Sequence, residues 1–344
     1  MDNHFSVYQH PTVTVLIDDS QSFLDSLAFQ LEPGQAYKSF ADPQPALKWL
    51  RQAYRDSIID QSDPIRVGYD DQTGSFEWRN ASIELDRIYH QVTNRQRFNL
   101  PAVLVIDYAM PQMDGVEFCR AVQDLPCKKI LLTGQASEKI AVDAFNQKLI
   151  DRFIKKNDPD ALNRLGSEIS RLQKDFFNGQ TGTLKDLLSR HSYAFLMDTV
   201  MAALVAQLSS RYRFVEYYLF PNPTGVLFLD IQGKPTLMVI ETKASLMAHL
   251  EIARDQGAPP DLLTALRELR VVPFFSGMGG FYRETVGNDW LSYCLPPQIC
   301  RGLQDYYWAL FDLPQHYLQG AVYSYAEYLR DRAAGLSDAD SVNI

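Results

Sequence analysis

The stretch VLVIDYAMPQMDGVEF, residues 103–118, decides how the first half of the chain folds. An apolar run of the kind that forms a buried strand ends at Asp107, and residues 108–111 do not begin a helix. An acid at the carboxyl end of a buried strand usually either caps a helix or takes part in chemistry. Because no helix begins directly after Asp107, the sequence favours chemistry at this position.

Short apolar runs, separated by helical segments, surround this stretch. They predict five strands, at 13–17, 36–40, 102–106, 129–132 and 151–154. This alternation is typical of an α/β fold with a doubly wound parallel sheet, in which every strand ends at the same edge. We therefore expect five polar residues to meet at that edge: Asp18, Asp19, Asp107, Thr133 and Lys156.

The residue types at this edge suit phosphoryl chemistry. Three carboxylates repel one another, and their pKa values would rise unless a positive charge lay among them. Mg²⁺ fits such a set, because it prefers oxygen ligands and is usually held by one or two carboxylates together with phosphate oxygens. A phosphoryl group would meet the hydroxyl of Thr133 and the ammonium of Lys156, while Asp107 acted as the nucleophile that forms an acyl phosphate.

Four segments carry a family resemblance: LIDDS (16–20), VLVIDYAMPQMDGVEFCR (103–120), ILLTGQAS (130–137) and FIKK (153–156). Together they resemble the receiver domain of bacterial response regulators, a flavodoxin-like five-stranded fold that accepts phosphate from a sensor histidine kinase or a phosphotransfer protein. The resemblance covers about residues 10–177. It implies the following roles: Asp107 as phosphoacceptor, Asp18 and Asp19 as Mg²⁺ ligands with Asp107 and the backbone carbonyl of Ala109, Thr133 and Lys156 as phosphoryl contacts, and Phe153 as the aromatic switch.

The chain departs from the family pattern in two places. Asn157 follows the lysine where the family has proline, which puts the loop after the fifth strand in doubt, and the choice of Lys156 over Lys155 depends on strand alternation after Phe153. The second departure is an insertion at about 58–98, which reads as a hairpin followed by a helix. Either a tolerated surface elaboration or a partner-docking segment would explain the insertion.

The second half reads as a separate α+β domain. NGQTGT, residues 178–183, predicts a linker, the domain is expected at 184–335, and a polar tail is expected at 336–344. Runs at 214–220, 225–231 and 236–242 predict an antiparallel meander. Beyond Ala244 the pattern favours helices, including the aromatic series that begins at Tyr306.

One constellation in this half leaves an enzymatic alternative open. Asp230 and the pair Glu241 and Lys243 lie on consecutive predicted strands, an arrangement similar to the core of the PD-(D/E)XK nuclease-like fold. Two acids would hold a metal there and the lysine would position water. The alternative function is therefore a phosphorylation-gated, metal-dependent nuclease or phosphodiesterase. A pseudo-receiver that only binds partners is a further alternative.

The composition excludes several classes of protein. There are 20 basic and 25 acidic residues up to residue 178, and 13 and 17 beyond it, so neither half has the charge expected for binding nucleic acid, although a local basic patch stays open. The four cysteines lack metal-site spacing and fit the cytoplasm, and no segment predicts a membrane span.

The order of the two halves adds a second resemblance. A receiver followed by a non-basic α+β output of this length is similar to the LqsR-type response regulators of α-hydroxyketone quorum-sensing circuits. The expected readout is a phosphorylation-dependent homodimer or a changed contact with the second domain.

Overall fold

The computed structural model describes residues 5–31, 34–60, 65–69, 79–134, 138–190 and 192–334. The strands of these ranges are β1 (Tyr8–Gln9), β2 (Val13–Ile17), β3 (Tyr37–Phe40), β4 (Ile65–Tyr69), β5 (Arg79–Ile83), β6 (Pro101–Asp107), β7 (Lys128–Thr133), β8 (Arg152–Lys155), β9 (Phe214–Phe220), β10 (Gly225–Asp230), β11 (Pro235–Thr242), β12 (Val272–Pro273), β13 (Cys294–Leu295), β14 (Gln298–Arg301) and β15 (Asp305–Asp312).

The helices are α1 (Gln21–Gln30), α2 (Pro43–Asp60), α3 (Asp86–His90), α4 (Gly115–Ala121), α5 (Glu138–Asn146), α6 (Ala161–Ser189), α7 (Thr199–Tyr212), α8 (Lys243–Asp255), α9 (Pro260–Arg267) and α10 (Tyr325–Ala333). Segments of 3₁₀ helix lie at Gln91–Thr93, Arg95–Asn99, Ala194–Met197, Glu284–Tyr293 and Gln315–Leu318. Within the described ranges, no helix is both long enough and apolar enough to cross a membrane.

The chain forms two compact units, and neither is a continuous segment. The first unit contains His10–Ser62, Asn94–Gln180 and the segment from Glu327 onward. The second unit contains Met1–Gln9, Asp63–Thr93 and Thr181–Ala326, as far as each is described.

The first unit is built on a five-stranded parallel sheet with the order β3-β2-β6-β7-β8. This is the order of flavodoxin-like folds, so the predicted fold class is confirmed. Every residue of β2 and β6 is buried, as expected for parallel strands that are covered on both faces. The predicted strand positions are correct to within about one residue, and the strands end at a common edge.

The second unit contains a six-stranded sheet with the order β1-β9-β10-β11-β15-β14, in which all pairs are antiparallel. The predicted meander is β9 to β11. The expectation of helices around Tyr306 is wrong, because residues 305–312 form β15, which pairs with β11 from Thr236 to Thr242. Residues 306–309 are buried in succession, so aromatic side chains lie on both faces of this strand and their spacing resembled that of a helix.

The insertion contributes to the core of the second unit. Its strands β4 and β5 form an antiparallel hairpin, whose predicted turn lies outside the described residues. The predicted helix at 81–93 begins later, as α3, because the hairpin extends to Ile83. Ile88 and Val92 are buried in the same hydrophobic core as the six-stranded sheet, and the ring of Tyr89 lies 4.7 Å from that of Phe220. Residues 86–93 are therefore part of the core of the second unit and are not a surface elaboration.

The structure differs from the predicted boundaries at two further points. Residues 178–183 lie within α6, which continues through Gly179 and Gly182 to Ser189. A Cβ at either glycine would meet open space. The last helix, α10, packs mainly with the first unit: the ring of Tyr328 lies 5.3 Å from that of Phe98, and Arg332 donates to the carbonyl of Tyr37. The predicted polar tail, 336–344, lies outside the described residues.

Candidate functional site

The acidic residues at the sheet edge are brought together as predicted. Asp18 follows β2 and Asp107 ends β6, and both are buried, whereas Asp19 is exposed. One carboxylate oxygen of each lies within 4.8 Å of those of the other two. Within the described part of the chain this is the single group of three or more acidic, histidine or cysteine side chains with metal-ligand spacing.

Local structure fixes the position of Asp18. Its backbone N–H donates to the carbonyl of Phe40 on the neighbouring strand, and its Oδ1 accepts a hydrogen bond of 2.9 Å from the backbone N–H of Ser20. Ser20 in turn caps α1, because its side chain accepts from the N–H of Phe23. The loop between β2 and α1 is thereby held with Oδ2 of Asp18 directed to the other polar groups of the edge.

The turn after Asp107 is tightly constrained. Gln112 adopts a positive φ of 68°, and Asp114 begins α4 with a capping box that includes Glu117. Gly115 donates to the carbonyl of Tyr108, and a Cβ at position 115 would lie 2.4 Å from the backbone oxygen of Asp107. The MPQMDG segment therefore needs glycine at position 115 for α4 to approach the strand end.

Lys156 supplies the positive charge at this edge. Its Nζ lies 2.7 Å from Asp18 Oδ2 and 2.9 Å from Asp107 Oδ1. Partial burial acts to lower the pKa of Lys156, but the hydrogen bonds and charge attraction of Asp18 and Asp107 outweigh it, and the pKa is raised. Lys155 points elsewhere, because its Nζ lies 2.8 Å from Glu138. The choice of Lys156 by strand alternation agrees with these contacts.

The peptide bond after Lys156 is trans, since the only cis bond in the described chain is Asn222–Pro223. The N–H of Lys156 donates to the carbonyl of Thr133 at 2.9 Å, which ties the two strand ends together. Replacement of the family's proline by Asn157 thus leaves the lysine at the acidic edge.

Sequence reasoning missed Phe23, whose ring centroid lies 4.2 Å from Lys156 Nζ, because no spacing rule links α1 to the residue that follows β8.

Thr133 ends β7 and is fully buried. Its Oγ1 has no hydrogen-bond partner among the residues that the structure describes. A buried hydroxyl without a partner is unfavourable, so the atom suits a ligand that brings an acceptor oxygen.

Phe153 is half-buried on β8 and Ala109 is exposed in the turn after Asp107. A Cβ at Gly134 would meet open space, which agrees with an accessible approach beside Thr133.

The residues present fit a hard divalent cation. Three carboxylates face one ammonium group, so the edge keeps an excess of negative charge, and all the candidate ligands are oxygen atoms. Asp18, Asp19 and Asp107 are the side chains that would hold it.

The three residues suspected of forming a nuclease-like site are not brought together. Asp230 Oδ1 accepts from the backbone N–H groups of Gln232 and Lys234 and so closes the β10–β11 turn. Glu241 lies at the opposite end of β11, roughly 20 Å away at the usual rise per residue. Lys243 is exposed at the start of α8. The alternative enzymatic reading is therefore wrong for this set of residues.

Comparison with known proteins agrees with this site. The family model of the response regulator receiver domain matches residues 80–165. Together with the parallel sheet, the match identifies a receiver domain of the response-regulator class within the chain.

Solved structures give the finer classification. The response regulator LqsR of Legionella pneumophila is 32% identical to this chain, with a TM-score of 0.76 and 99% of each chain covered. At this identity over nearly the whole length, the chain belongs to the LqsR-type response regulators.

Two further structures match at lower similarity. An adenylate cyclase of Rhodopirellula baltica is 18% identical, with 53% of this chain and 99% of that chain covered and a TM-score of 0.33. The receiver domain of a putative Luxo repressor protein of Vibrio parahaemolyticus is 16% identical, with the same coverage and TM-score. No curated protein sequence matches this chain.

Proposed function

We propose that Asp107 accepts a phosphoryl group from the phosphohistidine of a sensor kinase or phosphotransfer protein in the cytoplasm. A carboxylate oxygen of Asp107 forms a bond to phosphorus as the bond between phosphorus and the histidine nitrogen breaks, which yields an acyl phosphate. The observation that supports this most directly is the meeting of Asp18, Asp19, Asp107 and Lys156 at one sheet edge.

The surrounding side chains are suited to stabilise the transferred group. The hydroxyl of Thr133 would donate to one phosphoryl oxygen, and the ammonium of Lys156 would remain beside Asp107 to contact another. Mg²⁺ held by the three acids, with the carbonyl of Ala109 as a further ligand, would neutralise charge on the phosphoryl oxygens. Phe153 is the candidate for the side chain that responds, since it lies on β8, the strand that leads into Lys156.

A labelled small phosphodonor tests the acceptor. Incubation of the full chain with acetyl phosphate and Mg²⁺ should label the wild type and not the Asp107→Asn variant. Asp143→Asn, at an exposed position on α5, is the matched control and should be labelled normally. Label that persists in Asp107→Asn would place the phosphate elsewhere, and a failure to bind Mg²⁺ or beryllofluoride would favour a pseudo-receiver.

The output is proposed to be a change in self-association or in contact with the second unit, in a quorum-sensing circuit of the kind the LqsR-type resemblance implies. Light scattering of the full chain with and without Mg²⁺ and beryllofluoride measures the first possibility. A mass that doubles with the phosphate mimic, and does not double in Asp107→Asn, would support dimerisation. An unchanged mass would leave the second unit as the route of signalling.

A further inference from the structure

Glu241 and His249 form a buried pair in the second unit. Glu241 is the next-to-last residue of β11 and His249 lies in the middle of α8, with 4% and 7% of their surfaces exposed. Nε2 of His249 lies 3.3 Å from Oε1 of Glu241. Because a carboxylate accepts hydrogen bonds, an imidazole with a single ring N–H would carry that hydrogen on Nε2, the nitrogen that faces Glu241. Nδ1 is then left with a lone pair, as an acceptor.

That acceptor is not used within the described part of the chain. Nδ1 of His249 is buried and has no hydrogen-bond partner there. Buried polar atoms in folded proteins are almost always paired, since an unpaired one loses its hydration and gains nothing in return. An unpaired Nδ1 on an imidazole that Glu241 already orients therefore points to a donor that comes from outside the chain.

An aromatic ring lies against the imidazole. The centroid of Phe281 is 4.9 Å from that of His249, with the ring planes 35° apart, although 37% of Phe281 is exposed. Phe281 directly follows Gly279 and Gly280, which both have positive φ, at 72° and 84°. These backbone angles are favourable for glycine alone, and a Cβ at Gly279 would meet open space. A turn that needs glycine therefore holds the phenyl ring against the imidazole.

We propose that His249 is the hydrogen-bond acceptor of a ligand site in the second unit, and that the ligand is a small molecule with a hydroxyl group on a flat apolar ring. The phenyl ring of Phe281 shows that a flat apolar ring fits beside the imidazole. A phenyl ring, however, has no hydrogen to donate to Nδ1. A hydroxylated ring that takes its place supplies the missing donor. Glu241 is a positioning residue, because it fixes the tautomer of His249 and does not touch the ligand.

A metal ion is the other partner that a free imidazole nitrogen could take. A metal ion would need further ligands. In the described part of the chain, Asp18, Asp19 and Asp107 form the one group of three or more histidine, cysteine or acidic side chains with metal-ligand spacing. The geometry therefore favours an organic hydroxyl donor over a metal.

Phenol and anisole, its methyl ether, are the matched probes. Anisole keeps the ring and the oxygen but has no hydrogen to donate. In the full chain labelled with ¹⁵N-histidine, the free protein should show His249 as the Nε2–H tautomer, and phenol should shift its Nδ1 resonance. Phenol should bind roughly threefold to tenfold more tightly than anisole, the loss expected for one neutral hydrogen bond. A protonated Nδ1 in the free protein, or equal affinity for the two probes, would overturn the proposal.

Variants separate the site from general packing. His249→Phe should abolish the preference for phenol, Glu241→Gln should reduce it, and Phe281→Ala should strengthen the binding of phenol by removing the ring that occupies the site. His316→Gln, at an exposed histidine of the same unit, should leave the affinity for phenol and its preference over anisole unchanged. If His249→Phe does not fold, Glu241→Gln and Phe281→Ala carry the test. A preference for phenol that survives in His249→Phe would contradict the assignment.

Discussion

Nζ of Lys156 lies 2.7 Å from Oδ2 of Asp18, so the lysine that follows the edge strand β8 is bound to the acid that follows β2. The same ammonium group reaches Asp107 at 2.9 Å. It therefore stands as an internal counter-ion among carboxylates that are suited to hold a divalent cation. A bound cation and Lys156 would repel each other while drawing on the same oxygen atoms.

The first prediction is that Lys156→Met raises the affinity for Mg²⁺. Removal of the ammonium group leaves Asp18 and Asp107 without a competing positive charge, and we expect roughly a tenfold tighter dissociation constant, equivalent to about 1.4 kcal/mol. Isothermal titration of the full chain with Mg²⁺ measures the change. Lys155→Met is the control, since Lys155 pairs with exposed Glu138 and should not affect binding. Unchanged or weaker binding in Lys156→Met would contradict the competition.

The acidic edge could be predicted from sequence because parallel strands fix where their ends meet. Asp18, Asp107 and Thr133 each follow or end a strand with a strongly apolar pattern, and this pattern alone places them at one edge. The contact between Lys156 and the ring of Phe23 could not be predicted, because it depends on how α1 packs beside β8. The need for glycine at position 115 was equally hidden, since it arises from the approach of α4 to the carbonyl of Asp107.

Gly115→Ala is predicted to destabilise the protein and to reduce phosphorylation. The added Cβ would meet the backbone oxygen of Asp107, which cannot move without displacing the acceptor residue. Overpacking of this kind costs about 1–3 kcal/mol, which urea denaturation would measure. Gly166→Ala is the control, because it lies in α6 with no atoms near its Cβ and should stabilise by about 0.5–1 kcal/mol. Wild-type stability and labelling in Gly115→Ala would show that the turn can adapt.

His10 makes the stability of the protein sensitive to acid. Burial, with a smaller contribution from the charge of Arg97, lowers the pKa of His10 to about 3, against the hydrogen bond to Pro11 that acts to raise it. Between pH 6.5 and about 3 the unfolded chain binds a proton that the folded chain does not. The free energy of unfolding should therefore decrease as the pH is lowered through this window, by about 1.4 kcal/mol per pH unit, and should not depend on the titration of His10 above pH 6.5.

Urea denaturation at several pH values, with His10→Gln for comparison, isolates this contribution. The variant lacks the titrating group, so its stability should decline less steeply than that of the wild type between pH 6.5 and about 3. Parallel pH profiles for the two proteins would mean that His10 is protonated in the folded state.

Boundaries between the two units could not be predicted from sequence, because they depend on pairing between distant segments. β1 joins the second unit by pairing with β9, more than 200 residues away, and nothing in the local pattern of Tyr8 and Gln9 indicates this. The insertion was expected to be a surface elaboration or a partner-docking segment, because insertions usually lie on the surface, yet Ile88 and Val92 are buried in the core of the second unit. Local composition also misled at 178–183, where two glycines suggested a break in a helix that continues to Ser189.

Ile88→Ala is predicted to destabilise the second unit. Ile88 is buried in a core shared with the six-stranded sheet, so truncation leaves a cavity and should cost about 2–5 kcal/mol. Thermal and urea denaturation would detect the loss. Leu303→Ala, at a largely exposed position of the same unit, is the matched control and should change stability by less than about 0.5 kcal/mol. A similarly small effect of Ile88→Ala would show that the insertion is only a surface elaboration.

Two substitutions at Gly182 should have opposite effects, because the residue lies inside α6. Alanine adds a Cβ that meets no other atom and lowers the entropy lost on folding, so Gly182→Ala should stabilise by about 0.5–1 kcal/mol. Proline removes a backbone donor and clashes with the preceding turn, so Gly182→Pro should destabilise by about 3 kcal/mol or more. Denaturation curves of the two variants and the wild type measure both changes in the free energy of unfolding. If residues 178–183 were a flexible linker, both substitutions would change the stability little. In a continuous helix, the free energies of unfolding of the two variants should differ by more than about 3 kcal/mol, because only alanine keeps the backbone hydrogen bond.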